Sequence, residues 1–252
     1  MSECLAIVMA AGKGTRMQSD LPKVLCRVCG RPMVDFVLDA LTESGVKQMA
    51  LVVGYRADEI RKILGQRSGI VFVEQQEQLG TGHAVMVCRD EIARHDGPVL
   101  VLAGDSPLTQ SSSLTALLED FQRDRPACIL GTLRKENPHG LGRIVRDTAG
   151  NFEAIVEEKD ATPEQRQINE VNMSTYVFDS RELLHALDQL DNDNQQGEYY
   201  ITDCPGILKS EGKEVRALPV LKPCEALSVN TIEQLQIVES EMRRSALERQ
   251  QA

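Results

Sequence analysis

The chain has 252 residues and carries 28 Lys and Arg against 38 Asp and Glu, a net charge of -10. A chain of this length can bury a full core as one large α/β domain, and its acidic balance argues against a general nucleic-acid binder. No apolar run approaches the roughly 18 residues of a membrane span, and Glu3 stands where a targeting segment would be cationic, so a soluble, cytoplasmic protein without membrane contact is expected.

The first apolar run, Leu5 to Met9, reads as a buried parallel strand that breaks directly into small residues, two glycines and three cations. Gly12 and Gly14 allow backbone conformations closed to residues with a Cβ and let N–H groups approach an anion, while Lys13, Arg16 and Lys23 add mobile charge. Residues 1–31 hold five Lys or Arg against two Asp or Glu, a basic mouth on an acidic body that suits a small anionic ligand. The two common glycine loops do not fit. A dinucleotide fingerprint needs glycine where Met17 stands, and the Gly-Lys-Ser/Thr of a Walker A loop is absent at its spacing. Seven cysteines without framework spacing read as reduced core thiols. Cys26 and Cys29 form C-x-x-C, but the others stand singly, so the pair reads as packing residues, with a redox or metal role the alternative.

Met33 to Ser44 has apolar residues at helical spacing, and Gln48 to Val53 reads as a buried strand, which makes one β-α-β unit. Ala57 to Leu64 gives a second helix and Ile70 to Val73 another strand, so the alternation predicts a mostly parallel sheet covered on both faces. Ligands of such sheets sit at the carboxyl ends of the strands, where the first loop already lies. Gly80, Thr81 and Gly82 open a helix expected to run to about Arg94. This turn offers N–H groups and a hydroxyl, and Gln75 and Gln78 before it carry the paired donor and acceptor edges that read a nucleobase, although glutamines in a polar loop are more often only solvated. His83 reads as structural.

The strand Val99 to Ala103 ends in Gly104 and Asp105, and an aspartate at a strand exit suits Mg²⁺ as well as it suits a turn or helix cap. Ser111 to Arg123 is a predicted helix and Ala127 to Leu133 a strand. The rhythm then changes: Leu141 to Val145 and Phe152 to Glu157, joined by polar residues from Asp147 to Asn151, read as an antiparallel hairpin. Ser180 to Leu190 and Tyr200 to Glu211 read as helices, Val215 to Leu221 as a strand, and Thr231 to Arg249 as a closing helix with a charged end.

The run from Gly12 to Lys23 is similar, residue for residue, to the signature loop of the sugar-1-phosphate nucleotidylyltransferases, Gly-x-Gly-Thr-Arg-Met followed by Pro-Lys. Gly104-Asp105 with Pro107-Leu108 is similar to the same family, and Gln75, Gln78 and Leu79 to Ala84 resemble the stretch found in those members that make UDP-N-acetylglucosamine, as do Val156 to Thr162 and Gly197 to Asp203. The resemblance covers nearly the whole chain. It implies a Rossmann-like, mostly parallel α/β sheet with helices on both faces and a smaller antiparallel sugar-binding part. Residues 1–134 would form the nucleotide-binding half, 135–230 the sugar-binding half and 231–252 a terminal helix.

By the same resemblance, Ala10, Ala11, Gly12, Gly14, Gln75, Gln78, Gly80 and Thr81 bind the nucleotide, and Arg16, Lys23 and Lys13 act in catalysis. Asp105 and Asn230 hold Mg²⁺, Asn230 being equally a cap for the last helix, and Gly142, Glu157 and Asn172 contact the sugar. UTP and N-acetylglucosamine 1-phosphate are the implied partners. Two departures fall in the sugar part: Leu141 replaces an aromatic residue before Gly142-Arg143, and Asn172-Met173-Ser174 replaces Asn-Thr-Gly. Many such proteins continue into a hexapeptide-repeat β-helix, and nothing after Arg249 reads as one, so the uridylyl-transfer half alone is expected and oligomeric state is open. Two rival readings remain, a nucleotidylyltransferase for another sugar or base and a nucleotide-binding module without turnover.

Overall fold

The chain supplies short apolar runs separated by helices with one apolar face, and these assemble into a single sheet sandwiched between two helical layers. A computed structural model describes residues 3–17, 19–194 and 196–251; the side chains of Thr15 and of 246–251 lie outside the description. The strands are β1 (Leu5–Met9), β2 (Arg27–Val28), β3 (Arg31–Pro32), β4 (Gln48–Val53), β5 (Ile70–Glu74), β6 (Pro98–Ala103), β7 (Cys128–Arg134), β8 (Arg143–Arg146), β9 (Phe152–Val156), β10 (Glu170–Asp179) and β11 (Val215–Leu218). The helices are α1 (Met33–Glu43), α2 (Ala57–Leu64), α3 (Thr81–Met86), α4 (Arg89–Ala93), α5 (Ser111–Asp124), α6 (Ser180–Asp188), α7 (Cys204–Ser210) and α8 (Ile232–Gln251).

The sheet runs β11-β7-β10-β6-β1-β4-β5, with the β8–β9 hairpin attached to β10. β1 pairs in parallel with β4 and β6, β4 with β5, and β11 with β7; β10 alone on this path runs antiparallel, between β6 and β7. Alternation along β1 sends Ala6 and Val8 to one face, against α1, α2 and α5, and Leu5 and Ile7 to the other, against α3, α4, α6 and α7. From β1 the chain winds one way through β4 and β5, then crosses to β6 on the other side of β1. The reversal opens a crevice at the carboxyl ends of β1 and β6, the place where open α/β sheets take ligands.

Three elements differ from expectation. The helix expected from Gly80 to Arg94 is two, α3 and α4, broken at Val87 and Cys88. The helix expected from Tyr200 begins as a 3-10 turn at Ile201–Asp203; α7 starts where Pro205, in its first turn, needs no backbone donor. β10, the longest strand, was legible only as the surroundings of Asn172, because a bulge between Asn172 and Thr175 breaks its alternation.

β2 and β3 form a small ribbon whose turn has positive φ at both Cys29 (48°) and Gly30 (83°), the geometry that matches strand twist. Cys29 is therefore exposed at a turn and is not the packing residue expected, whereas Cys26 is buried. All seven thiols are free, and burial pushes Cys4, Cys88 and Cys204 up to about 12. A third apolar cluster, with Met17, Cys26, Val28, Met33, Leu108, Val229 and Val238, seats α8 under the first loop. Among the described residues no helix is long and apolar enough to cross a membrane.

Candidate active site

β1 delivers Ala10 and Ala11 to the crevice, where Ala10 N–H donates to the Val52 carbonyl at 2.9 Å and the Ala11 carbonyl accepts from Tyr55 N–H at 3.2 Å. Beyond them Gly14 has φ +66°, and a Cβ there would stand 2.5 Å from Lys23 Cβ, so this glycine is demanded by both backbone and packing. Gly12 is not: a Cβ at Gly12 would meet nothing within 4 Å and its φ is ordinary. The expectation of a backbone closed to side chains thus holds at Gly14 and fails at Gly12. A 3-10 turn at Thr15–Met17 sets Arg16 outward, and a second, Lys23–Leu25, follows Pro22 and turns Lys23 inward.

All the residues expected for nucleotide, catalysis and metal line one cavity of about 520 Å³, within the range of small-ligand sites. Lys13 lies over the Tyr55 ring, 5.2 Å from its centroid. The Lys23 ammonium makes an ion pair with Asp105 and donates to Asn230 Oδ1 at 2.8 Å, and Arg16 Nη2 donates to the same oxygen at 3.4 Å. Gly104, whose N–H donates to the Met9 carbonyl at 2.9 Å, ties the Asp105 turn to the end of β1.

Asp105 and Asn230 therefore aim oxygens at one cation. Among the described residues no three His, Cys, Asp or Glu side chains converge to hold a metal. The pair nevertheless fits a hard ion that completes its shell with phosphate and water oxygens, and the Lys23 ammonium stands in for such an ion. Of the two readings of Asn230, the cap is the weaker: Thr231 Oγ1 accepts from Gln234 N–H at 3.3 Å, leaving the Asn230 amide oxygen to the cations.

The second glycine turn lines the cavity as expected but gives part of its hydrogen bonding to the chain itself. Gly82 N–H donates to the Tyr199 carbonyl at 2.7 Å, Tyr199 N–H donates to Leu79 at 2.8 Å, and the Thr81 hydroxyl accepts from Ile201 N–H at 3.2 Å. A Cβ on Gly80, which has φ +106°, would lie 2.4 Å from the Tyr199 carbonyl. The turn docks a later segment of chain through the Gly82 N–H and the Thr81 oxygen, and the Gly80 and Thr81 N–H groups meet no acceptor among the described residues. That docking puts Glu198 in the cavity wall, together with Ser174, and neither was assigned from sequence.

Gln75 is buried; its amide donates to the Gly80 carbonyl at 3.1 Å and lies 3.1 Å from His83 Nδ1, while Gln78 donates to the Ala11 carbonyl at 3.1 Å. The Gln75 amide nitrogen has two partners in the chain itself, whereas Gln78 uses one of its two N–H donors, so the Gln75 oxygen and both edges of the Gln78 amide remain to meet a base. His83 is structural, as expected, through its contact with Gln75.

Gly142, Glu157 and Asn172 form a second group beside this cavity. Asn172 N–H donates to the Gly142 carbonyl at 2.9 Å, and a Cβ on Gly142 would lie 3.2 Å from Glu157 Oε1. Burial, then the charges of Asp160 and Asp203, push the Glu157 carboxyl above the usual carboxylate range. The Asn172 amide is itself engaged, donating to the Tyr176 hydroxyl at 2.8 Å and accepting from Ser174 N–H at 3.2 Å. Ser174, at φ 52°, leads from this row to the cavity. Leu141 and Met173, two of the three departing residues, pack half-buried against the core.

Comparison with known proteins bears on the family and the fold. Residues 6–203 match the MobA-like NTP transferase domain. The bifunctional protein GlmU of Clostridium novyi is 44% identical over 238 residues, which are 94% of this chain and 52% of that protein. GlmU of Heliobacterium modesticaldum is 45% identical over 241 residues, 96% of this chain and 52% of that protein. The chain spans about half the length of these relatives. A UDP-glucose pyrophosphorylase complexed with UDP-glucose has the same fold, with TM-score 0.77 at 17% identity over 97% of this chain and 100% of that one. With the family model covering most of its length, the chain belongs to the MobA-like NTP transferase domain family, and with it to the nucleotidyltransferases.

Proposed function

We propose that the chain transfers UMP from UTP to N-acetylglucosamine 1-phosphate and releases pyrophosphate. The observation that carries this reading is the one cavity in which Lys23 and Arg16 meet the Asp105–Asn230 oxygen pair, with Lys13 also in its lining. Residues 1–134 would carry the nucleotide, 135–230 the sugar, and 231–252 the helix that follows Asn230. Transfer is an in-line displacement in which a sugar phosphate oxygen, already anionic near neutral pH, attacks the α-phosphorus of UTP, so no strong base is required. Arg16, Lys13, Lys23 and the backbone N–H groups about Gly12 meet the charge that develops as pyrophosphate leaves. Bound by Asp105 and Asn230, Mg²⁺ would supply charge neutralisation and hold phosphate oxygens in line. Lys23 neutralises Asp105 in the ligand-free protein, and its ammonium is within the same cavity as the phosphates it would serve. The free, buried thiols suit a reducing cytoplasm.

The choice of sugar is supported by the GlmU relatives and by the likeness of residues 75–84, 156–162 and 197–203 to enzymes that make UDP-N-acetylglucosamine. The UDP-glucose enzyme, at 17% identity, speaks for fold alone. Pyrophosphate release with UTP should require both a sugar 1-phosphate and a divalent ion. Catalytic efficiency should favour N-acetylglucosamine 1-phosphate over glucose 1-phosphate; equal efficiencies would overturn the sugar, and turnover unchanged by excess chelator would overturn the metal. Asp105→Asn should retain the fold and lose a hundredfold or more in rate, since a metal supplies on the order of several kcal/mol of transition-state stabilisation.

A further inference from the structure

Arg143 has one of the largest fully buried side chains in the molecule, only 2% exposed, although it stands at the entry of a short strand. A guanidinium enclosed in this way must commit its donors to acceptors, and those it uses are informative. Nη1 donates to the Leu141 carbonyl and Nη2 to Glu158 Oε2 at 2.5 Å, while Nε is buried with no partner among the described residues. Leu141 precedes Gly142 and Glu158 follows Glu157. One planar fork therefore joins the two chain segments that carry Gly142 and Glu157.

The register makes the connection tighter. Arg143 pairs with Val156 on β9 and with Val171 on β10, so the next row of the sheet is Gly142, Glu157 and Asn172. The hairpin is closed at its far end by the turn around Asp147 and Asn151. Its other end, at this row, is held by the Arg143 fork. A buried donor left unpaired is a cost that free rearrangement would remove, and its persistence marks a side chain fixed by the two contacts it does make.

We propose that Arg143 is a positioning residue for the acceptor: by tying Leu141 to Glu158 it sets the spacing between Gly142 and Glu157 on which sugar recognition depends. The inference rests on the reading of Gly142, Glu157 and Asn172 as the sugar subsite. Glu158→Gln weakens one arm of the fork while leaving Arg143 buried, and Arg143→Lys keeps the charge but can serve only one arm. With UTP and N-acetylglucosamine 1-phosphate varied separately, both variants should raise KM for the sugar phosphate about tenfold and leave KM for UTP within twofold. Should Arg143→Lys fail to fold, Glu158→Gln carries the test. Asn172→Ala serves as the reference for the subsite. If it raises the sugar KM while Glu158→Gln does not, the role of Arg143 is overturned and the subsite stands. If Asn172→Ala leaves that KM unchanged, the subsite reading itself is overturned. Equal rises in both KM values for Glu158→Gln would overturn positioning in favour of a general structural role.

Discussion

In the loop at 12–14 the backbone N–H groups of Gly12, Lys13 and Gly14 meet no acceptor among the described residues, whereas in the turn at 80–82 the Gly82 N–H and the Thr81 hydroxyl are both committed to residues 199–201. The two stretches look alike on paper, each a threonine beside glycines after a strand. One leaves all three N–H groups without a partner in the chain, and the other commits one of its three, with the threonine oxygen as an acceptor, to fastening a distant part of the chain. A glycine-rich turn thus declares that backbone must come close to something, and only the fold decides whether that something is a ligand or another segment of the same chain.

Substitutions can break this contrast. Arg16→Ala, in the open loop, should lower turnover about a hundredfold, the usual cost of removing one preorganised donor from a developing charge, with KM for the sugar phosphate nearly unchanged. An effect confined to that KM would place Arg16 at the wrong end of the site. Gly82→Ala, in the committed turn, should act on the fold instead. Its Cβ would stand 2.8 Å from Leu190 Cδ1 and 3.0 Å from the Tyr199 carbonyl, an overpacking worth about 1–3 kcal/mol. Thermal unfolding should fall by several degrees, and an unchanged midpoint would show that residues 198–201 are not held there. Gly12→Ala is the mildest for the fold, within about 0.5 kcal/mol, since nothing lies within 4 Å of the new methyl. Catalytic efficiency should still drop, because the methyl enters the space read as the ligand's; unchanged kinetics would show that the space is not used.

The β6-β1-β4-β5 side of the sheet was legible because these strands are apolar runs separated by amphipathic helices; the runs report burial at β1, β4 and β6, while the edge strand β5 is only half-buried. β10 was not legible, because Asn172, Ser174 and Thr175 interrupt its apolar residues at the bulge, and its insertion between β6 and β7 is a pairing across long stretches of sequence. The break between α3 and α4 was hidden by apolar residues that keep helical spacing through it, Ala84, Val85, Cys88 and Ile92 all facing the core. Among site residues, Asp105 and Lys23 could be named through the motifs that flank them, since an aspartate at a strand exit by itself serves a turn or cap equally well. The state of Gln75 and Gln78 could not, since an amide in a loop looks the same whether its hydrogens serve a ligand or the chain.

Met17, Leu108 and Val229 meet in the same small apolar cluster, and each is a near neighbour in sequence of a charged or oxygen-bearing group of the cavity: Arg16, Asp105 and Asn230. In an interior packed without free volume, a shift of one side chain is passed to those it touches. The alignment of the three groups is then set by the volume of a greasy joint behind them, with α8 and the β2–β3 ribbon as its remaining walls. A methylene gained or lost at Met17, which is not on the cavity wall, changes how far Arg16 sits from the Asp105–Asn230 pair. Geometric precision at this site is accordingly a matter of tolerances among methyl groups as much as of charges.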